Sequence, residues 1–252
     1  MIDTHSHLFE DDFKDDLDYC IKRCNESNVN KIVLVGFDKT TNEKAQALAK
    51  KYNIFYPTAG LHPEYVTKNY INDIEELKEF IKNNKVYAIG EAGLDYHWSI
   101  EFKEEQKEAF RLQLELAKEL DLPIIVHSRD ANQDTFDIIK SFNGTVKGVM
   151  HCYSGSKEMA KEYMKLGFYI SLGGPVTFKN AKEPKEVAKI VDSDKLLIET
   201  DCPYLAPTPN RGKRNESSFV KYVLEEIATL RGITKEECEE MTTKNAERLF
   251  KI

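Results

Sequence analysis

Residues 86–127 of this 252-residue chain read VYAIGEAGLDYHWSIEFKEEQKEAFRLQLELAKELDLPIIVH. Two short β-rich runs, at 86–91 and 123–127, enclose a stretch in which Phe110, Leu114, Ala117 and Leu120 recur at helical spacing. The second run is continuously apolar up to His127 instead of alternating, which is the pattern of a parallel strand covered on both faces. Working outward, similar β-rich runs fall at 2–5, 31–36, 54–60, 146–151, 168–172 and 195–200. Helical stripes lie between them, such as Ile71, Ile74, Leu77 and Ile81, or Phe219, Val223 and Ile227. Eight strand–helix units in a chain of this length predict an α/β fold, a (β/α)8 TIM-like barrel. The alternative is a doubly wound open sheet. No Gly-x-Gly-x-x-Gly follows an early strand, and Gly173-Gly174-Pro175 is a poor phosphate cradle. No Pro/Gly/Ser-rich linker or composition shift divides the chain, so 1–252 reads as a single domain.

The composition, 41% hydrophobic and 31% charged, excludes disordered and low-complexity classes. The longest apolar runs, 32–35 and 123–126, are far below the roughly 18 to 20 residues of a membrane-spanning helix. Asp3, His5, His7 and Glu10 stand where a signal peptide needs an apolar core, so a cytoplasmic address is expected. Five cysteines, an odd number, point to a reducing compartment, and Cys20 and Cys24 read as partly buried thiols on a helix. The net charge of −7 argues against a broad basic footprint on duplex DNA. It leaves room for a nucleic acid bound by its end, where metal ions supply positive charge locally.

In a barrel of this kind, catalytic groups sit at the carboxyl ends of strands. His5 and His7 end or follow the first predicted strand, Glu91 the fourth, His127 the fifth, His151 the sixth and Asp201 the eighth. In His-x-His the side chains at i and i+2 point to one side, so both imidazoles can reach one ion. Six nitrogen and oxygen donors exceed the needs of one tetrahedral ion, which predicts two divalent ions with Glu91 bridging them. Such a site attracts anions and acidifies a bound water, making metal-bound hydroxide the expected nucleophile. Mixed His and carboxylate donors suit Zn²⁺ or Mn²⁺, and Mg²⁺ at cellular excess also fits. Cys152 and Cys202 adjoin proposed ligands, and strand alternation predicts that both face the helix layer.

Six motifs, in order along the chain, carry a family resemblance: THSHL at 4–8, GLHP at 60–63, IGEAGLDY at 89–96, PIIVHSR at 123–129, HCYSG at 151–155 and ETDCPYL at 199–205. Together they resemble the TatD family of metal-dependent deoxyribonucleases, which have an amidohydrolase-like barrel. The resemblance implies two divalent ions and hydrolysis of phosphodiester bonds in DNA. It places His5, His7, Glu91 and Asp201 on one ion and Glu91, His127 and His151 on the other. It also makes Asp201 and Glu91 catalytic, with Asp201 taking the proton from the attacking water, and His62 a substrate-side histidine. Glu64 stands where many relatives carry a second histidine.

Further substrate contacts are expected from three places. Arg129 can fork onto a phosphate, or pair with Asp130 or Asp134. The basic run Arg211, Lys213 and Arg214 follows the eighth strand, either as a phosphate contact or as a solvated face. Tyr96, with His97 and Trp98, can stack on unpaired bases or form the edge of a lid. The expected activity is a deoxyribonuclease, an exonuclease on single strands or ends, with no membrane, and the sequence points to no particular protein partner. The alternative is hydrolysis of small cyclic amides or esters on the same rim.

Overall fold

Strands that are apolar on both faces must be covered on both, and a closed parallel sheet wrapped in helices does this. In a computed structural model, which describes residues 1–98 and 100–252, eight parallel strands alternate with helices. β1 (Ile2–Ser6), β2 (Lys31–Leu34) and β3 (Phe55–Pro57) pair in that order. β4 (Ile89–Asp95), β5 (Ile124–Arg129), β6 (Gly148–Met150), β7 (Tyr169–Leu172) and β8 (Leu196–Ile198) continue in sequence order. Two seams close the ring. Ala59 bridges to Ile89, and Ser6 to Cys202, where the His7 N–H donates to the Cys202 carbonyl and the Asp201 N–H to that of His5, each at 2.9 Å. An open sheet has two free edges, so this closure excludes the doubly wound alternative.

The helices are α1 (Leu17–Glu26), α2 (Lys39–Lys51), α3 (Tyr70–Asn83), α4 (Lys103–Glu119), α5 (Asn132–Ser141), α6 (Lys157–Lys165), α7 (Lys182–Ile190), α8 (Val220–Arg231) and α9 (Lys235–Phe250). Alternation along each strand divides the core in two. Ile2, Val33, Ala88, Ile125, Val149, Tyr169 and Leu197 fill one cluster, with Ala246, Leu249 and Phe250 of α9 packed on it. The neighbouring residues Ile32, Leu34, Ile124, Val126, Leu196 and Ile198 face the helix stripes, among them Ile74, Leu77, Phe110, Leu114, Val223 and Ile227.

Several expected boundaries move. The fourth strand begins at Ile89 and runs to Asp95, so Glu91 lies inside it and not at its end. Its pairing with β5 reaches Asp95 opposite Arg129 because Gly93 holds φ at 146°. A Cβ there would lie 2.0 Å from the His127 carbonyl oxygen, so only glycine lets the two strands approach. Ile71 is 51% exposed and Leu120, which caps α4, is 41% exposed, so both fall outside the buried stripes. Phe219 belongs to a 3₁₀ turn ahead of α8. Cys20 and Cys24 are free thiols on α1, fully buried where their spacing suggested partial burial.

The basic run after β8 is partly structural. Arg214 forks onto Asp16, with N–O distances of 2.8 and 2.7 Å, and its guanidinium lies 4.5 Å from the centre of the Phe13 ring. Arg23 of α1 joins Asp16 to the buried Glu216. The hydrogen bonds from Arg214 hold the Asp16 carboxyl down at about 2. A folded-state value below the unfolded one of about 3.9 stabilises the fold above pH 4, and the gain is lost as pH falls toward 2. Asp16→Ala is therefore expected to lower unfolding free energy at pH 7 by about 1 kcal/mol. In denaturant titrations the gap between wild type and variant shrinks as pH drops below about 4; a gap independent of pH would contradict this role.

Candidate metal centre

The site is built around one buried carboxylate. Glu91 Oε2 faces His5 Nε2 at 3.3 Å and His7 Nε2 at 3.9 Å, and these two imidazoles lie 3.2 Å apart. Asp201 Oδ1 completes that group, 3.4 Å from His7 Nε2 and 3.8 Å from His5 Nε2. Glu91 Oε1 faces the other way, toward His151 Nε2 at 2.8 Å, His127 Nδ1 at 3.0 Å and His62 Nε2 at 3.5 Å. Five of the chain's six histidines thus surround Glu91. The sixth, His97, sits outside and meets Asp130 at 3.0 Å.

Electrostatics follow from this packing. Burial pushes the Glu91 carboxyl up, but His151, His62, His5 and His127 outweigh it and hold Glu91 well below the usual carboxylate range. Asp201 is likewise lowered against the effect of burial, chiefly through its contact with His7. His151 is raised well above the ordinary histidine value, because Glu91 and Glu199 overcome its burial. Burial dominates at His5 and His62 and lowers both.

A second circle of groups orients these side chains. His7 Nδ1 lies 2.8 Å from the Val35 carbonyl, which fixes the proton there and leaves Nε2 as a lone-pair donor. His127 Nε2 meets Asp95 Oδ2 at 2.9 Å. Glu199 stands 3.5 Å from His151 Nδ1 and accepts from the Cys152 N–H. Asp3 accepts from the Thr200 N–H at 2.9 Å and its hydroxyl at 2.6 Å, and burial pushes the Asp3 carboxyl up to about 7. The Asn215 amide donates to the carbonyls of Thr200 and Tyr204 at 2.8 and 2.7 Å, pinning the backbone on both sides of Asp201. Asp95, Glu199, Asp3 and Asn215 were not singled out from the sequence. For two of them a signal existed: Asp95 shares the strand parity of Glu91, and Glu199 that of Asp201.

The residues present fit divalent metal ions. The donor atoms converge from β1, β4, β5 and the loops after β6 and β8, and the two Glu91 oxygens divide them into two sets. His5, His7 and Asp201 offer donor atoms within 4.8 Å of one another, as do His62, Glu91 and His127. The second grouping brings His62, expected on the substrate side, within reach of an ion.

The cluster lies where two hollows meet, one of about 470 Å³ and one of about 330 Å³, which share His127, Arg129, His151, Asp201 and Leu205. A larger hollow of about 650 Å³, between α2 and α3, holds none of the six donors. Arg129 is exposed, and its guanidinium lies 5.3 Å from the Trp98 ring centre. The acids it was weighed against are engaged elsewhere, Asp130 with His97 and Asp134 with Tyr96, Lys103 and Lys107. Tyr96 is turned away from the hollows, its hydroxyl donating to Asp134 and its ring under Lys103, while Trp98 lines the larger of the two that meet at the cluster. Arg211 stacks over Phe178 at 4.2 Å and lines neither hollow. Cys202 is buried as expected, its thiol pushed up to about 12. Cys152 instead lines the smaller hollow, because its φ of 41° ends the strand alternation.

A family profile described as "TatD related DNase" matches residues 2–251. The chain belongs to that family. It is 51% identical over its whole length to the "Uncharacterized metal-dependent hydrolase YabD" of Bacillus subtilis, covering 99% of that protein. It is 32% identical, again over the whole chain and 99% of the relative, to the "3'-5' ssDNA/RNA exonuclease TatD" of Erwinia billingiae. Among solved structures, the TatD homologue YJJV of Escherichia coli K12 superposes with a TM-score of 0.94 at 29% identity, covering 100% of this chain and 98% of that one. This TatD-family protein is a metal-dependent hydrolase on a TIM-barrel fold.

Outer-sphere carboxylates typically govern metal affinity by about 10- to 100-fold. Asp95→Asn is expected to weaken divalent-ion affinity within that range while leaving the circular dichroism spectrum unchanged. Isothermal titration checks this, and wild-type affinity in the variant would remove Asp95 from the site.

Proposed function

We propose that this chain is a phosphodiesterase that uses two divalent ions to hydrolyse DNA from the ends of single strands. The observation that carries the reading is the Glu91 carboxylate, whose two oxygens face two separate donor sets, with Arg129, in no ion pair among the described residues, at the junction. The name of the Erwinia relative, an exonuclease on single strands, supports the same substrate class.

Glu91 Oε2, His5, His7 and Asp201 would hold one ion, and Glu91 Oε1, His127 and His151 the other. Zn²⁺, Mn²⁺ and Mg²⁺ all fit the mixed donors. When bound, the ions neutralise charge on the phosphate oxygens and acidify a water in the site. Asp201 is ionised at neutral pH and stands at the mouth of both hollows, so its carboxylate takes the proton from the attacking water. Arg129 presents a planar fork of donors that matches two phosphate oxygens. His62, beside Glu91, lines the larger hollow, through which substrate would approach the donors. Neither Tyr96 nor Arg211 has a place in this arrangement.

The test uses chelator-stripped protein and an end-labelled single-stranded DNA oligonucleotide, with Mg²⁺, Mn²⁺ or Zn²⁺ added back. Metal-dependent laddering is expected, and Asp201→Asn should reduce it by about 10²- to 10⁴-fold. No cleavage by wild-type protein with ions demonstrably bound would overturn the reading. It would turn attention to cyclic amides and esters, which are assayed in the same metal series.

A further inference from the structure

The larger of the two hollows at the cluster has walls unlike the rest of the surface. Among the described residues, four tyrosine, tryptophan or phenylalanine side chains are exposed: Tyr19, Tyr65, Trp98 and Tyr204. Three of these, at 45%, 67% and 55% exposure, line this one hollow, and Leu205 at 43% adjoins them. Single exposed apolar residues are ordinary, but a cluster of them around one opening marks a binding surface.

Each ring is also held in place. Tyr65 stacks on Phe37, with ring centres 5.4 Å apart and planes 23° from parallel, and meets the His62 ring edge-on at 6.4 Å. Tyr204 meets the edge of His7 at 6.4 Å. Trp98 carries the Arg129 guanidinium at 5.3 Å. Rings fixed in this way present flat faces at little entropic cost.

Charge decides what the hollow accepts. Glu64, next in sequence to Tyr65, lines it, and among the described residues Arg129 is the one lysine or arginine in its walls, placed where it also borders the smaller hollow. A phosphate is therefore repelled from the aromatic end and drawn to the junction with the donor cluster. An uncharged flat ring suits the aromatic end. The smaller hollow is lined by Leu172, Pro175, Val176 and Pro184, and its one aromatic residue, Tyr153, is buried.

We propose that the hollow walled by Tyr65, Trp98 and Tyr204 is a stacking seat for a single nucleobase, on one side only of the phosphate that is cut. The proposal rests on the phosphodiesterase reading above and deepens it: recognition is by one base face, independent of base identity. Substrate is gripped at one nucleoside and its phosphate, and the nucleoside beyond the phosphate is not stacked.

The test pairs substrate and protein changes. Single-stranded DNA oligonucleotides of one sequence carry a stable abasic residue at the first, second or third position from either end, and are cut by metal-loaded wild type, Trp98→Ala, Tyr65→Ala and Trp98→Phe. Wild type is expected to show roughly tenfold higher KM at one abasic position and none elsewhere, with kcat at saturation changed less than about twofold. Trp98→Ala and Tyr65→Ala should raise KM on the intact strand and show little further penalty on that abasic strand. Trp98→Phe should recover most of the loss. Wild type cutting intact and abasic strands alike would overturn the stacking seat while leaving the phosphodiesterase reading standing. So would a Trp98→Ala penalty of equal size on both strands, which would mean that Trp98 acts through Arg129. If metal-loaded wild type cuts no strand at all, the phosphodiesterase reading itself fails and takes the seat with it.

Discussion

A single buried carboxylate, Glu91, holds the site together. A charge taken out of water costs several kcal/mol unless it is paired and hydrogen-bonded on every side. Glu91 is 4% exposed, and ring nitrogens from β1, β5 and the loops after β3 and β6 surround it. None of these side chains is close to it in sequence, so the barrel has to bring them together. Both seams of the barrel lie beside the site: Ala59–Ile89 next to Glu91, and Ser6–Cys202 between His5, His7 and Asp201. The closure that completes the sheet therefore also completes the donor set.

Local devices make that convergence possible. Gly93 lets β4 and β5 approach, which sets Glu91 and Asp95 on either side of the His127 ring. Asp3 and Asn215 grip the backbone around Asp201, which itself holds a φ of 58° that few non-glycine residues adopt. A residue so strained persists where its surroundings over-determine it, and such positions gather at functional sites. The long loop after β8 is anchored in turn by the Arg214–Asp16 fork, so its densest positive charge stabilises the scaffold, and Arg129 is left as the cation at the cleft.

Much of this was legible in the residue pattern. Continuous apolar runs separated by helical stripes pointed to a covered parallel sheet, and eight of them in this length favoured a ring over an open sheet. The six side chains proposed as donors could be picked out because histidines and carboxylates at so many strand ends have no structural use that would place them there. What escaped depended on backbone direction. Period-two reasoning put Cys152 in the helix layer, but a positive φ at that residue turned it toward the cleft. Three aromatics in a row, Tyr96, His97 and Trp98, were indistinguishable by composition. The structure separates them: Tyr96 is claimed by Asp134, His97 by Asp130, and Trp98 faces the cleft. Arg211 and Arg214 looked alike as neighbours in a basic run, yet their partners, Phe178 and Asp16, come from distant parts of the chain. Asp3 and Asn215 gave no local signal, since both act on backbone atoms around Asp201 that lie far along the chain or across a loop.

The proposal that Glu91 bridges two ions is tested most directly by counting them. Protein stripped with chelator, reloaded with Zn²⁺ or Mn²⁺ and freed of excess metal by gel filtration is assayed by elemental analysis, wild type beside Glu91→Ala, with circular dichroism as a check on folding. Two ions per wild-type chain, falling to one or none in the folded variant, is the result expected if the two oxygens of Glu91 serve two ions. Two ions retained by Glu91→Ala would contradict it.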